Sequence, residues 1–306
     1  MGTNGGLGRP VLALNDVSVT FKRPGRGSIR AVDGVTLNIS EGDLFGLLGP
    51  NGAGKSTAMY CMLGLLQPES GTVRMLEQQV FPGAGFFEDV VYLPEEPHYH
   101  DYLSVQEAVT FYASLYRRRI PESRVVAALR KVGLADFRRL RIAKCSKGMK
   151  QKVGLAACML FEPRVMLLDE PTRGLDPIMV RIFRDYLLAR HEKGTTIILN
   201  SHVLSEVELV CRRIGIMKGG KIIADDELHN LVRVDADLYE VVLEAAGDLP
   251  AFVRNVSTSD NVSRGQVSER DLEALMRYCR EQHVKLRSCH ARVETLEDVF
   301  MRLLGA

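Results

Sequence analysis

One glycine-rich segment constrains the fold of this chain more than any other feature. It fits the pattern G-x-x-x-x-G-K-[ST] and consists of Gly49, Pro50, Asn51, Gly52, Ala53, Gly54, Lys55, Ser56 and Thr57. The apolar run at 44–48 predicts a strand before it, and residues 57–63 predict a helix after it. Glycines permit the tight turn in which backbone N–H groups point at phosphate oxygens, and the helix N-terminus adds partial positive charge. We therefore expect a phosphate-binding loop, with Lys55 on the β- and γ-phosphates and the Ser56 hydroxyl on Mg²⁺.

Two carboxylates follow a second apolar run. Residues 165–168 read as a buried parallel strand, and Asp169 and Glu170 come directly after it. Two solvated acids at a strand end are the alternative, but charge is costly to bury without a partner. Beside a phosphate-binding loop, the first carboxylate is expected to hold Mg²⁺ and the second to polarise an attacking water as general base.

These motifs, with residues 171–177 and Asn200-Ser201-His202, resemble the nucleotide-binding subunit of an ATP-binding-cassette transporter. The resemblance covers roughly residues 11–225. Residues 145–151 align with the family signature L-S-G-G-Q-x-Q, and Ser146 and Gly148 match its central Ser and second Gly. The resemblance implies that two subunits sandwich two ATP molecules, each signature loop contacting the γ-phosphate held by its partner. Ser146 and Gly148 also precede a predicted helix, which makes a second site suited to an anion.

The signature departs from the family pattern at three positions. Cys145, Lys147 and Met149 replace the usual Leu, Gly and Gln. Lys147 either adds positive charge near the partner's γ-phosphate or points to solvent. The Ser-Lys-Gly-Met variant, like the ending at 294–300, resembles subunits that pair with separately encoded exporter-type membrane proteins.

Glu95 occupies the position of the family's glutamine loop, which links the core to the helical insertion. Its carboxylate could approach Mg²⁺ or the attacking water, or it could be an ordinary turn acid. Proximity to Asp169 and Glu170 would perturb its pKa. The resemblance implies that this loop senses the γ-phosphate and moves the helical insertion against a membrane partner.

Three further residues take roles from the resemblance or from side-chain chemistry. His202 matches the family histidine that contacts the γ-phosphate and hydrogen-bonds Glu170 and the water. Asp176 lies in a segment similar to the loop that couples the two ATP sites. Phe21 is the best candidate to stack on adenine, although a core strand residue is the alternative.

The expected fold class is α/β, a phosphate-loop NTPase core with a RecA-like mixed sheet. An antiparallel β layer, a helical subdomain at about 95–155 and a small C-terminal α+β appendage complete it. We expect a disordered N-terminus at 1–10, the ATPase domain at 11–225 and a separate domain at 226–306. In the last domain, strands are expected at 238–243 and 284–286 and helices at 269–281 and 296–304, with a polar stretch at 255–264.

Composition narrows the partners and the location. The net charge of +2 over 306 residues gives no electrostatic footprint for nucleic acid. No apolar run approaches the ~18 residues of a membrane span, and no signal peptide is readable. We therefore expect a cytoplasmic protein, peripheral on the cytoplasmic face of the cell membrane. Its expected ligands are ATP and Mg²⁺, and its expected partners are a multi-span permease and a second ATPase subunit, identical or different.

Two other classes remain open. A soluble cassette ATPase that acts on nucleic acid or ribosomes usually carries two cassettes or a coiled-coil insertion, and neither is visible in the sequence. A catalytically inactive scaffold is disfavoured because Lys55, Asp169, Glu170 and His202 are all present. The transported substrate is not readable, since specificity would lie in the membrane subunit.

Overall fold

The chain divides at residue 228 into two units, residues 1–228 and residues 229–306. The computed structural model describes residues 10–23, 27–83, 86–116, 120–244, 249–259 and 262–305. The segment expected to be disordered, 1–10, lies outside the described residues except for Pro10, which begins the first strand.

The strands of the first unit are β1 (Pro10–Arg23), β2 (Gly27–Ser40), β3 (Leu44–Leu48), β4 (Ser70–Met75), β5 (Gln78–Gln79), β6 (Val90–Leu93), β7 (Val165–Asp169), β8 (Thr196–Asn200), β9 (Arg213–Lys218) and β10 (Lys221–Glu227). Its helices are α1 (Lys55–Met62), α2 (Val105–Ser114), α3 (Glu122–Lys131), α4 (Lys147–Cys158), α5 (Pro177–His191) and α6 (Leu204–Val210). Short 3-10 turns lie at Phe86–Asp89, Ala135–Phe137 and Ile142–Lys144. The four-residue helix α7 (Leu228–Leu231) lies where the chain passes into the second unit.

The strands that carry the predicted motifs lie side by side in a central sheet of order β10-β9-β3-β8-β7-β6. All neighbours are parallel except β10 and β9, so the sheet is mixed, as predicted. Every residue of β3, β7 and β8 is buried, as expected when both faces of a parallel sheet are covered. Because parallel strands end at the same edge, the segments that follow β3, β6, β7 and β8 meet there.

The predicted antiparallel layer has the order β2-β1-β4-β5. One apolar core joins this layer to α1 and to the central sheet. It contains Met59 and Met62 of α1, Leu12 and Leu14 of β1, and Leu47 of β3, all fully buried. This core holds the start of α1, and with it the glycine-rich loop, against strands of both sheets.

Helices α2, α3 and α4 lie in the segment where the helical insertion was predicted. Ser104 begins α2 with a capping box, in which its hydroxyl accepts from Glu107 N and the Glu107 carboxylate accepts from Ser104 N. Ser146 caps α4, where its Oγ accepts a hydrogen bond from Met149 N at 3.2 Å. The signature-like segment thus forms the N-terminus of α4.

The second unit contains strands β11 (Val234–Glu244), β12 (Arg254–Ser259), β13 (Val262–Ser268) and β14 (Lys285–Val293), with helices α8 (Leu272–Glu281) and α9 (Leu296–Leu304) and a 3-10 turn at Glu269–Asp271. Its sheet is antiparallel with the order β12-β13-β11-β14. Val241, Leu243, Val253, Val267 and Leu275 form its buried core. The α+β class of this part agrees with the prediction.

Two details of the second unit were predicted wrongly. The polar stretch at 255–264 contributes to β12 and β13, which were not predicted. The sequence gives no strand signal for β13 because two of its three inward positions, Ser263 and Gly265, are not apolar. The short strand expected at 284–286 extends to Val293, since it pairs along β11. None of the helices in the described ranges combines the length and the apolar character needed to cross a membrane.

Candidate functional site

The segments that follow β3, β6, β7 and β8 surround a cleft of about 700 Å³. Most residues singled out in the sequence lie in its wall. The lining residues are Phe21, Ile29, Ala31, Asn51, Gly52, Ala53, Gly54, Lys55, Ser56, Thr57, Glu95, Asp169, Glu170, Arg173, Asn200 and His202.

Two glycines give the loop a path that no other residue could follow. Gly49 has φ 155°, and a Cβ on it would lie 2.2 Å from the Met217 carbonyl oxygen. Gly54 has φ 106°, and its Cβ would lie 2.1 Å from the Ala31 carbonyl oxygen. Both conditions select glycine, because a positive φ and a backbone clash each exclude a side chain. The loop therefore passes close against β2 and β9 before α1 begins at Lys55.

Lys55 is 7% exposed and folds back over the loop. Its Nζ donates to the carbonyl oxygens of Gly49 at 2.7 Å and Pro50 at 3.3 Å. Burial lowers the pKa of this amine, and the nearby carboxylates of Glu170 and Asp169 oppose that shift. The hydrogen bonds of this amine go to neutral carbonyl oxygens, and it lies at the N-terminus of α1. It is therefore well placed to bind an anionic ligand in place of the carbonyls.

Asp169 ends β7 and is 2% exposed. Its carboxylate accepts a hydrogen bond from Asn200 Nδ2 and another from the Ser56 side chain. Burial raises the pKa of Asp169, and these hydrogen bonds and Lys55 oppose the shift. The Asn200 Oδ1 atom is buried and has no hydrogen-bond partner among the described residues.

This oxygen-rich group fits Mg²⁺. Ser56 Oγ, the Asp169 carboxylate and the unpartnered Asn200 Oδ1 are hard oxygen donors, the kind that this ion prefers. In the described part of the chain, no three His, Cys, Asp or Glu side chains are grouped to hold a metal by themselves. Mg²⁺ is usually bound by one or two carboxylates together with water and phosphate oxygens.

Glu170 and His202 come together from the ends of two neighbouring strands. His202 Nδ1 lies 2.6 Å from Glu170 Oε2, so with an ionised carboxylate the ring N–H donates. Glu170 has a positive φ of 48°, rare outside glycine, and its backbone N–H donates to the Asn200 carbonyl at 2.8 Å. Such strained backbone clusters at functional sites, where it orients a side chain.

Glu95 forms an ion pair with Arg173, which sequence reasoning did not single out. The Arg173 backbone N–H also donates to the Glu170 carbonyl at 3.2 Å, closing a turn. The sequence contains a signal for this residue, a basic side chain three positions after the general-base candidate. Asp169 and Glu170 were the neighbours expected for Glu95, whereas its direct partner is a cation.

Phe21 lies near the end of β1, paired with Ile29 of β2. Its side chain borders the cleft and is 44% exposed, so it is not a core residue of the antiparallel layer. A flat apolar surface therefore lies in the same wall as the glycine-rich loop, as stacking on an adenine ring requires.

Ser146, Gly148 and Asp176 do not line this cleft. Ser146 caps α4, and a Cβ on Gly148 would lie 2.7 Å from the Gly174 carbonyl oxygen. Asp176 caps α5, accepting from Met179 N at 2.9 Å and from Lys152 Nζ at 2.8 Å. The hydrogen bond from Lys152 is the main cause that lowers the pKa of Asp176.

Lys147 is exposed and forms an ion pair with Glu96. Of the two interpretations left open, the structure agrees with a solvated side chain in this single chain. The residue has an anionic partner of its own at the surface, and it does not line the cleft.

A second cavity of about 690 Å³ adjoins the first. It shares Glu95 and Asp169 with the cleft and lies among β6, α2 and α4. Six aromatic side chains contribute to its wall: Tyr60, Tyr92, Tyr99, Tyr112, Tyr116 and Phe161. Sequence reasoning did not anticipate this cavity, since its residues come from separated parts of the chain.

Comparison with known proteins agrees with this geometry. Residues 32–173 match the family model described as "ABC transporter". The bacitracin transport ATP-binding protein BcrA of Enterococcus faecalis is 33% identical over 91% of this chain and 93% of its own length. The Nod factor export ATP-binding protein I of Rhizobium meliloti is 30% identical over 97% of this chain and 89% of its own.

A solved structure supports the fold independently. The structure titled "Structure of ATP binding subunit of ABC transporter" matches with a TM-score of 0.63 and 27% identity, covering 72% of this chain and 91% of that one. The predicted phosphate-loop NTPase fold is confirmed. The chain belongs to the ABC transporter family, and within it to the ATP-binding proteins that act as ATPases.

Proposed function

We propose that this chain hydrolyses Mg²⁺-bound ATP to drive a separate membrane permease that exports its substrate. One observation carries the proposal: Lys55, Asp169, Glu170 and His202 converge on a single cleft formed at the carboxyl ends of the central strands. ATP binding follows from the family. The roles of individual residues and the ion are inferred from this geometry, and the direction of transport is inferred from the names of relatives.

The phosphates of ATP lie on the glycine-rich loop. Backbone N–H groups of residues 51–57, at the N-terminus of α1, donate to the phosphate oxygens, and Lys55 leaves its loop carbonyls to bind the β- and γ-phosphates. Ser56 and Asp169 hold Mg²⁺, which when bound neutralises charge on the phosphate oxygens. Phe21 stacks on the adenine ring.

Glu170 is the general base of the reaction. Its carboxylate accepts the proton of the water that attacks the γ-phosphate, and the bond from that phosphorus to ADP breaks. His202 holds the carboxylate in place through its Nδ1, which leaves its other ring nitrogen for the γ-phosphate. The strained backbone at Glu170 helps to fix this orientation.

A second cassette subunit, identical or different, completes each site. Ser146 and Gly148 form the N-terminus of α4 outside this chain's own cleft, so they are available to the ATP of a partner. Asp176, at the start of α5, couples the two sites across the dimer. We assign catalysis to the domain expected at 11–225. The boundary between the two units lies at residue 228, so β10 ends within the catalytic unit, and the unit that follows has no assigned role.

The permease is a multi-span membrane protein, and the chain works on the cytoplasmic face of the membrane. The names of two relatives refer to bacitracin transport and to Nod factor export. We assign the aromatic second cavity to an apolar segment of the permease. It shares Glu95 with the cleft, so nucleotide at one side and the permease at the other would act on the same loop.

Substitution of the general base tests the catalytic part. We expect Glu170→Gln to retain ATP binding and to lose turnover by at least about a hundredfold, because general-base catalysis contributes about 10²–10⁴. Turnover close to wild type in this variant would remove Glu170 from the role.

Purification with associated proteins tests the transport part. Tagged full-length protein, solubilised with mild detergent from its own cells, should carry a multi-span membrane protein. Recovery of ribosomes or DNA instead would contradict the transport function and favour a soluble cassette ATPase that acts on nucleic acid or ribosomes.

A further inference from the structure

Two charged residues that face the cleft form a pair outside the assigned catalytic roles. Glu95 follows β6 and Arg173 follows β7, and these strands are parallel neighbours with Leu93 opposite Leu168. The two side chains form an ion pair and both line the cleft. The pair therefore joins the loop that leads to the helical segment with the turn that carries Glu170.

The charged side chains that line the cleft explain why Glu95 needs a cation beside it. Among the described residues that line it, three are carboxylic acids, Glu95, Asp169 and Glu170, and the permanent cations are Lys55 and Arg173. Asp169 and Glu170 are needed for the ion and the water, but Glu95 adds a negative charge that a triphosphate meets as repulsion. Arg173 is the cation in contact with that carboxylate.

We propose that Arg173 is a positioning residue, which pairs with Glu95 and holds its charge away from the triphosphate so that ATP binds beside this glutamate. The inference rests on the proposed binding of ATP in the cleft. Arg173 acts through Glu95, and a direct contact with phosphate is the competing arrangement. Its backbone hydrogen bond to the Glu170 carbonyl anchors it to the turn, which keeps the guanidinium within reach of Glu95.

The exposure of the pair makes its substitution informative. The side chains of Arg173 and Glu95 are 44% and 38% exposed, so removing the pair is not expected to unfold the chain. Removal of Arg173 changes the electrostatic potential at the bound nucleotide, because Glu95 loses the cation that it pairs with. An uncompensated carboxylate at the triphosphate end of a solvent-accessible cleft should weaken ATP binding on the order of fivefold.

A double-mutant cycle measures this coupling in the full chain with a non-hydrolysable ATP analogue. We expect Arg173→Ala to raise the dissociation constant on the order of fivefold in the wild-type background, and to change it less than about twofold in a Glu95→Gln background. The defect should shrink as salt rises from low to high concentration. In turnover assays Arg173→Ala should raise KM by a larger factor than it lowers kcat.

Two controls separate this effect from general loss of charge or stability. Arg164→Ala removes another surface ion pair, with Glu41 at 3.2 Å, outside the cleft, and should leave the affinity unchanged. Arg173→Lys keeps a cation and should retain most of the affinity. Melting temperatures of all variants confirm that they are folded.

The outcomes separate this inference from the proposed function. If Arg173→Ala weakens binding equally with Glu95 and with Gln at position 95, Arg173 contacts the phosphate directly and the inference is overturned. If the wild type binds the analogue, Lys55→Ala weakens that binding and Arg173→Ala does not, the inference fails while the proposed function stands. If the wild type does not bind the analogue, the proposed function fails.

Discussion

His202 Nδ1 lies 2.6 Å from Glu170 Oε2, although the two residues follow different strands of the central sheet. The contact depends on β7 and β8 being parallel neighbours, with Asp169 opposite Asn200. A neutral or charged imidazole can donate to the carboxylate here, and the carboxylate keeps its second oxygen for a water molecule. The pair thus presents an oriented carboxylate toward the cleft.

Loss of the imidazole should reduce turnover more than binding. We expect His202→Ala to lower kcat on the order of a hundredfold, because Glu170 loses the group that orients it, while the affinity for a non-hydrolysable ATP analogue changes little. Steady-state ATPase assays and analogue binding check this. His290→Ala is the matched control, since that side chain is 59% exposed, compared with 58% for His202, and pairs with Glu240 in the second unit. Equal losses in the two variants would contradict the role of His202.

The glycine-rich loop should be more sensitive at Gly54 than at Gly52. Both have positive φ, 106° and 80°, so alanine is strained at either position by about 1–2 kcal/mol. Only at Gly54 does the added Cβ meet backbone, 2.1 Å from the Ala31 carbonyl oxygen, whereas nothing lies within 4 Å at Gly52. The free energy of unfolding, from chemical denaturation, should therefore fall further for Gly54→Ala. Equal destabilisation would mean that the loop moves away from β2 freely.

Mixing two inactive variants should restore activity if this chain pairs with itself. Lys55→Ala disables the glycine-rich loop, and Ser146→Asp places a negative charge where a partner's γ-phosphate is expected. Aspartate is also a good N-cap, so α4 should keep its start. In mixed dimers one of the two composite sites is intact, and an equal mixture should recover up to about a quarter of the wild-type turnover.

The absence of recovery in that mixture, with each variant folded by circular dichroism, would contradict a composite site built from two copies of this chain. A site completed within one chain predicts that outcome, because each variant then lacks one necessary part. A dimer with a different cassette subunit predicts it as well, and adding the wild-type partner subunit would distinguish the two.

The second unit should lose stability in acid through Asp298. This carboxylate accepts hydrogen bonds from the Thr295 backbone and side chain at the start of α9, and the backbone bond is the main cause that lowers its pKa. Because the pKa is lower in the folded state, the stabilisation is present above the ordinary value of 3.8 and is lost as pH falls through the lowered one. Asp298→Asn keeps an acceptor oxygen but loses the negative charge in the first turn of α9, and should cost about 0.3–1 kcal/mol at pH 7.

Unfolding curves of wild type and Asp298→Asn between pH 7 and pH 2 check this prediction. The difference in the free energy of unfolding between wild type and Asp298→Asn should become smaller as the wild-type carboxylate is protonated. Asp237→Asn offers a control on an exposed aspartate of β11, away from the start of α9. A difference that stays constant down to pH 2 would show that the capping hydrogen bonds do not depend on the charge.

Much of the catalytic core could be predicted because its signals are local. The positive φ values at Gly49 and Gly54 and the buried run before Asp169 are properties of a few adjacent residues, so pattern and composition reveal them. The α/β class and the family are confirmed. The roles assigned to Ser146, Gly148 and Asp176 stay predictions, since these residues do not line the cleft of this chain.

Other features could not be predicted from the sequence, because the residues that define them are far apart in the chain or are not apolar. The inward face of β13 contains Ser263 and Gly265, so no apolar alternation marks the strand, and its pairing with β11 is what defines it. Arg173 was not singled out, because its partner Glu95 is distant in sequence and reaches it only through the neighbouring strand end. The aromatic second cavity is likewise assembled from separated segments.

The sequence by itself determined that this chain holds a nucleoside triphosphate on a glycine-rich loop, because the pattern G-x-x-x-x-G-K-[ST] consists of adjacent residues. Only the tertiary structure decided which groups meet that triphosphate. The order of parallel strands places Asp169, Glu170, His202 and the Glu95–Arg173 pair at one edge of the sheet, and it leaves Ser146 and Gly148 outside the cleft. Strand order depends on packing between distant segments, so no short stretch of sequence contains it.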